Sequence, residues 1–148
     1  MTRDERWPLD LVIFGALAVL WSLVLLARVI FFLHAGNAPD AFQDVLFGVK
    51  CYGSAARVTM AIQAVVIGAF GVGILTQRRW GLVLALIYMI QVVAGHAIFI
   101  ASNLGVESQR IHVRIASLES PVMVGLLVYL WLRSRSIVRS ASDQLGYG

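Results

Sequence analysis

Cysteine is almost absent from this chain: Cys51 is the only one in 148 residues. That excludes an intrachain disulfide and a Cys-x-x-Cys redox pair. Four-helix disulfide-relay proteins go with them. Charge is scarce too, at 14% of residues. No set of His, Cys, Asp and Glu has a metal-ligand spacing, so no metal is predicted. The two halves share no motif, which weighs against an inverted-repeat transporter.

What the chain has in abundance is apolar sequence. Hydrophobic residues make up 59%, and the mean hydropathy is +0.83. A soluble domain runs nearer half apolar, in short periodic runs. Here the apolar residues form four blocks of membrane-spanning length. The fold class predicted is all-α. It is a polytopic membrane protein with four transmembrane helices in an up-down-up-down bundle, plus a short interfacial helix in the first outer loop. A single domain fills residues 1–148, with spans at about 9–33, 52–75, 81–101 and 110–132 and a polar tail at 134–148. Arg3 and Arg6 precede the first apolar block, but that block is too long for a signal peptide, so it reads as a span.

The stretch that demands most of the others is Glu107 to Arg133. It is long enough to cross a bilayer, yet it holds Arg114, Glu119 and Pro121. Charge at membrane depth is expensive unless protein or trapped water receives it. Arg110, Arg114, Ser117, Pro121 and Gly125 share one face of this helix. His112, Ala116, Glu119 and Met123 share the opposite one. Arg114 and Glu119 stand roughly 140° apart at about 100° per residue. One internal face cannot easily take both, which points to a second chain or a bound ligand. Pro121 leaves the Ser117 carbonyl without its helical partner, a natural site for a kink.

In span one, Pro8 suits the first turn and Trp7 the headgroup region. Gly15, Ala18 and Ser22 are small residues at helical spacing, the mark of close helix contact. Arg28 sits near the far end, within snorkelling reach of the surface. Span two carries a matching stripe of Arg57, Ala61, Ala64, Gly68 and Gly71, with Arg57 at its head pointing into protein. In span three Tyr88, Gln91 and Gly95 share a face, and His96 lies roughly 140° from Gln91. Gly105 is a natural helix stop.

The first loop shows apolar residues at i, i+3, i+4 and i+7: Phe42, Val45, Leu46 and Val49. Asp40 and Gln43 resemble a capping box before them. This spacing predicts a surface helix over 41–50. The Ser-rich tail reads as disordered or lipid-associated.

Arg3, Arg6, Arg78, Arg79, Arg133, Arg135 and Arg139 fall on one side of the predicted bundle. Lys50 and Arg110 hold the other. The positive-inside rule places both termini in the cytoplasm of a bacterial-type inner membrane. The net charge of +4 suits anionic lipid. Nucleic acid is excluded as a partner, because the arginines are scattered between apolar helices.

Arg28, Arg57, His96 and Arg114 fall in the outer third of the bundle, and Gln63, Gln91 and Glu119 lie one to two turns deeper. Such a bundle has a polar pocket open to the outer face. The preferred reading is a non-catalytic subunit or binding module of a larger or homo-oligomeric membrane complex. Its pocket takes a lipid or another amphipathic anionic ligand through Arg28, Arg57, Gln63, Gln91, His96, Arg114 and Glu119. The alternative is a membrane enzyme on a lipophilic substrate, with Glu119 as acid or base beside Arg57 and His96. A weaker alternative is a b-type haem on His96 with His34 or His112. No cofactor is predicted on the preferred reading. Membrane lipids and a homo-oligomer or partner subunits are the expected partners.

Known four-helix families offer little. The segment CYGSAARVTMAIQ lacks the Arg- and Asn-rich, Glu-containing motif of MAPEG enzymes, with only Arg57 in common. Small multidrug transporters keep their membrane Glu in the first helix, whereas Glu119 is in the fourth. In size and hydropathy the chain resembles small four-helix bacterial proteins of DoxX-like type, which implies no activity.

Overall fold

A computed structural model describes residues 7–34, 43–46 and 49–145, with side chains over 7–31 and 49–137. Four long helices dominate: α1 (Leu9–His34), α2 (Gly53–Leu75), α3 (Arg79–Asn103) and α4 (Arg110–Leu145). Each is long and apolar enough to cross a membrane. The three helix-to-helix connections after α1 begin or end within two residues of the predicted boundaries, and the class is all-α as expected.

Burial runs opposite to that of a water-soluble bundle. The residues facing outward are large and aliphatic, such as Leu17, Leu20, Ile87 and Leu118, the last 77% exposed. A soluble monomer does not display so continuous an apolar surface. Where α1 and α2 approach most closely, the residues between them are small. Gly15 and Gly71 face each other closely, and a Cβ on Gly71 would sit 3.0 Å from the Gly15 carbonyl oxygen. Ser22, buried, donates a 2.7 Å hydrogen bond to the Ala64 carbonyl. The two predicted stripes of small residues thus meet as the α1–α2 contact, because only small side chains let helix backbones approach this closely in lipid.

The α2–α3 turn is tighter still. A Cβ on Gly81 would fall 2.5 Å from the Gly73 carbonyl carbon. Below it Phe14 stacks on Phe70 at 6.3 Å, and Phe70 meets Tyr88 at 5.7 Å. The packing is sequential: α1 on α2, α2 on α3, α3 on α4. No comparable interface joins α1 to α4. They are linked at one end, where Tyr129 and Arg133 both donate to the Asp10 carboxylate.

Two expectations are corrected. The first loop does not hold a surface helix. It forms an antiparallel hairpin of β1 (Gln43–Leu46) and β2 (Val49–Tyr52), with Leu46 opposite Val49. Phe42, Phe47 and Gly48 lie outside the described residues. The physical reason is pairing: two short strands satisfy each other's backbone groups, whereas a helix of ten residues is marginal alone. Chain direction then changes at once, because Gly53 takes φ +57° and β2 runs straight into α2. The second correction is the tail. α4 continues helical to Leu145, past the predicted end of the span, because no proline or glycine interrupts residues 133–145. Gly105 ends α3 as expected, at φ +88°.

Candidate functional site

At the hairpin end α4 stands away from α2, and a cavity of about 430 Å³ opens between α2, α3 and α4. Its mouth carries Lys50 from β2 and His112 from the first turn of α4. Lys50 lies 6.0 Å above the Phe99 ring. Midway down are His96 and Glu119; the floor is Gln63, Tyr88, Gln91 and Met123. The floor lies roughly 15–20 Å from the hairpin end at about 1.5 Å per residue. That is near the middle of an apolar layer about 30 Å thick.

Why these side chains converge follows from the wheel. Tyr88, Gln91 and Gly95 share a face of α3, and small Gly95 leaves the space that the cavity occupies. His112, Ala116, Glu119 and Met123 share a face of α4, and that face turns toward α3. Ala116 is buried, which holds the helices together at cavity level. The floor is polar and linked: the Tyr88 hydroxyl reaches Gln63 Oε1 at 3.4 Å.

His96 is the best-defined group. Its Nδ1 lies 2.9 Å from the Val92 carbonyl oxygen. A carbonyl only accepts, so Nδ1 carries the proton. Nε2 lies 3.4 Å from Glu119 Oε2. For that contact to be a hydrogen bond, one further proton must sit between Nε2 and the carboxylate. The His96 side chain is 23% exposed and that of Glu119 53%, so the pair faces the cavity.

Of the seven predicted ligand-binding residues, Gln63, Gln91, His96 and Glu119 line the cavity. Arg28, Arg57 and Arg114 do not. Arg28 and Arg114 are exposed within about two turns of their helix ends, as snorkelling side chains are. Arg57 is half-buried, and its Nε is enclosed without a hydrogen-bond partner. Arg57 thus sits at the edge of the α2 contact, whose buried positions are Ala56 and Met60. For the enzyme alternative, Glu119 and His96 are together and Arg57 is not with them. For the haem alternative, His96 and His112 share the cavity, but both His96 nitrogens are engaged. The His34 side chain lies outside the described residues. Among the described residues no group of three or more His, Cys, Asp or Glu gathers as a metal would need.

Sequence reading missed Lys50 as a site residue. Its signal was present: it is the one lysine in the chain, beside an apolar loop. It also missed Asp10, whose pairing with Arg133 spans almost the whole chain. No family model, curated protein or solved structure matches this chain.

Proposed function

We propose that this multi-pass membrane protein is a binding module whose cavity receives the polar head of an amphipathic anionic ligand, lipid-like in character. The observation that carries the reading is the convergence of Gln63, Gln91, His96 and Glu119 from three helices on one space. Such a pocket combines apolar walls with a few placed polar groups, as small-molecule sites do. Lys50 and His112 at the mouth favour an anionic group there, and the ligand's apolar part extends along the helices. The hairpin side faces out of the cytoplasm in this proposal, so the ligand enters from the outer leaflet.

The module works as an accessory or self-associating subunit. Arg114 is exposed with no partner among the described residues. A Cβ on Gly125, about three turns along the same face, would meet nothing within 4 Å. That leaves room for a second chain on the side of α4 away from the cavity.

Native mass spectrometry from mild detergent tests both parts. The wild type is expected to release as a dimer or larger assembly carrying an added amphiphile mass. Met123→Trp, which fills the cavity floor, is expected to lose the added mass with helical ellipticity unchanged. An identical bound mass in both proteins would place the ligand elsewhere. A bare monomer would remove the self-association.

A further inference from the structure

The charge pattern of the cavity points to what its ligand brings with it. Among the described residues lining it, Lys50 from β2 is cationic. Glu119 and His112 from α4 and His96 and Tyr88 from α3 can titrate, while α2 contributes only the uncharged Gln63. With Glu119 ionised and the histidines neutral, Lys50 and Glu119 cancel. A monoanion entering that cavity then leaves one uncompensated negative charge at membrane depth, which is costly. One proton added between His96 and Glu119 cancels it.

The geometry is already set for that proton. Nδ1 of His96 is committed to the Val92 carbonyl at 2.9 Å. Nε2 therefore presents a lone pair to Glu119 Oε2, 3.4 Å away. Without a proton, the lone pair and the carboxylate repel. With one, the pair is neutral in sum, whichever atom carries it. The cavity then holds the net positive charge of Lys50 alone, and a monoanion neutralises it.

We infer, resting on the binding reading above, that the site takes an amphiphilic monoanion together with one proton, held between His96 Nε2 and Glu119 Oε2. The balance is simple: the proton comes from solvent, one ligand binds, and no bond other than the proton's changes. The ligand class is thus a lipophilic weak acid, loaded as its anion plus its proton. His112 is not the proton's site, because it lies at the mouth and is exposed.

Calorimetric titration of the full chain in nonionic detergent tests this. The probe is dodecylsulfonate, which keeps one negative charge at every working pH. Two buffers of different protonation enthalpy give the number of protons taken up per ligand. Above the pH at which the free pair releases its proton, uptake of about one proton is expected. The affinity should fall about tenfold per pH unit there, the slope of one linked proton. Glu119→Gln, with elution volume and helical ellipticity unchanged, should bind the sulfonate with no uptake and a flat pH profile.

Sulfonate binding without proton uptake in the wild type overturns the inference and leaves the binding reading standing. So does uptake that persists in Glu119→Gln but vanishes in His112→Asn. Binding of dodecyltrimethylammonium or dodecanol in place of the sulfonate removes the monoanion and keeps the cavity. If none of the three probes binds, both the inference and the reading beneath it fail.

Discussion

A single methyl group at Gly81 would collide with backbone. Its Cβ would lie 2.5 Å from the Gly73 carbonyl carbon and 2.7 Å from the Ile74 nitrogen. No side-chain rotation relieves that contact, so α3 must move against α2. At Gly68 the nearest atom is Ser22 Oγ, at 2.8 Å, which can turn aside and break its bond to Ala64. At Gly125 a methyl meets nothing. The expected order of destabilisation is therefore Gly81→Ala, then Gly68→Ala, then Gly125→Ala. The first is expected to cost about 1–3 kcal/mol as overpacking. The last is expected to be neutral, or to gain up to about 1 kcal/mol from helix propensity. Thermal unfolding in detergent measures all three, and equal midpoints for Gly81→Ala and Gly125→Ala would contradict the packing. Small-residue stripes were legible in the sequence because lipid rewards close backbone approach there. A wheel angle of about 100° per residue locates a stripe but cannot separate its edge, where half-buried Arg57 sits, from its centre. Ala56 and Met60, one residue before and three after, define that centre.

The helices differ in how firmly they are held. α1, α2 and α3 pack along their length, but α4 rests on α3, and among the described residues its side-chain hydrogen bonds to α1 are those at Asp10. Tyr129 Oη donates to Asp10 at 2.8 Å, and Arg133 adds an ion pair to the same oxygen. Arg133 also lies 5.8 Å from the Tyr129 ring, so the three groups act as a unit. Asp10→Asn and Arg133→Gln are each expected to lower the unfolding midpoint. The double variant is expected to lower it by less than the sum, since each single change already breaks the shared contact. Strictly additive losses would show that the two side chains do not interact. This tie keeps one end of α4 closed while the other end stands open at the cavity. It was invisible in the sequence because the partners are far apart along the chain. The hairpin escaped for another reason. Val45, Leu46 and Val49 satisfy a helical spacing and a pair of short strands equally well. Over eight residues, periodicity cannot choose between them. The choice lay with the β-branched Val45 and Val49, which favour a strand.

Across the whole molecule polarity is divided between the two ends. The end that holds the α2–α3 turn carries Arg78 and Arg79, and the same end of α4 carries Arg133 and Arg135. Trp80 and Trp131 lie there too, about half exposed, and Arg135 sits 4.5 Å over the Trp131 ring. Indole rings at that level mark the headgroup boundary. The opposite end carries the hairpin, the Leu104–Gln109 connection and the cavity mouth. There the loop-level cations among the described residues are Lys50 and Arg110, with Arg28, Arg57 and Arg114 inside the adjoining helix turns, and Arg110 is offset by its 3.2 Å contact with Glu107. An excess of arginine in short loops is retained on the cytoplasmic side during insertion. The expected topology is thus termini and α2–α3 turn inside, with hairpin and cavity mouth outside. Single cysteines in a Cys51→Ala background decide it. Ser108→Cys, exposed in the connection before α4, is expected to react with a membrane-impermeant maleimide on intact bacterial cells. Ser136→Cys, exposed beyond Arg135, is expected to react only after lysis. Arg78 and Arg79 supply the decisive charge, because they share one short loop with no acidic residue. Converting both to glutamate should weaken the bias, and some Ser136→Cys protein should then label from outside. Labelling of Ser136→Cys on intact cells with Arg78 and Arg79 in place would invert the arrangement and turn the cavity toward the cytoplasm.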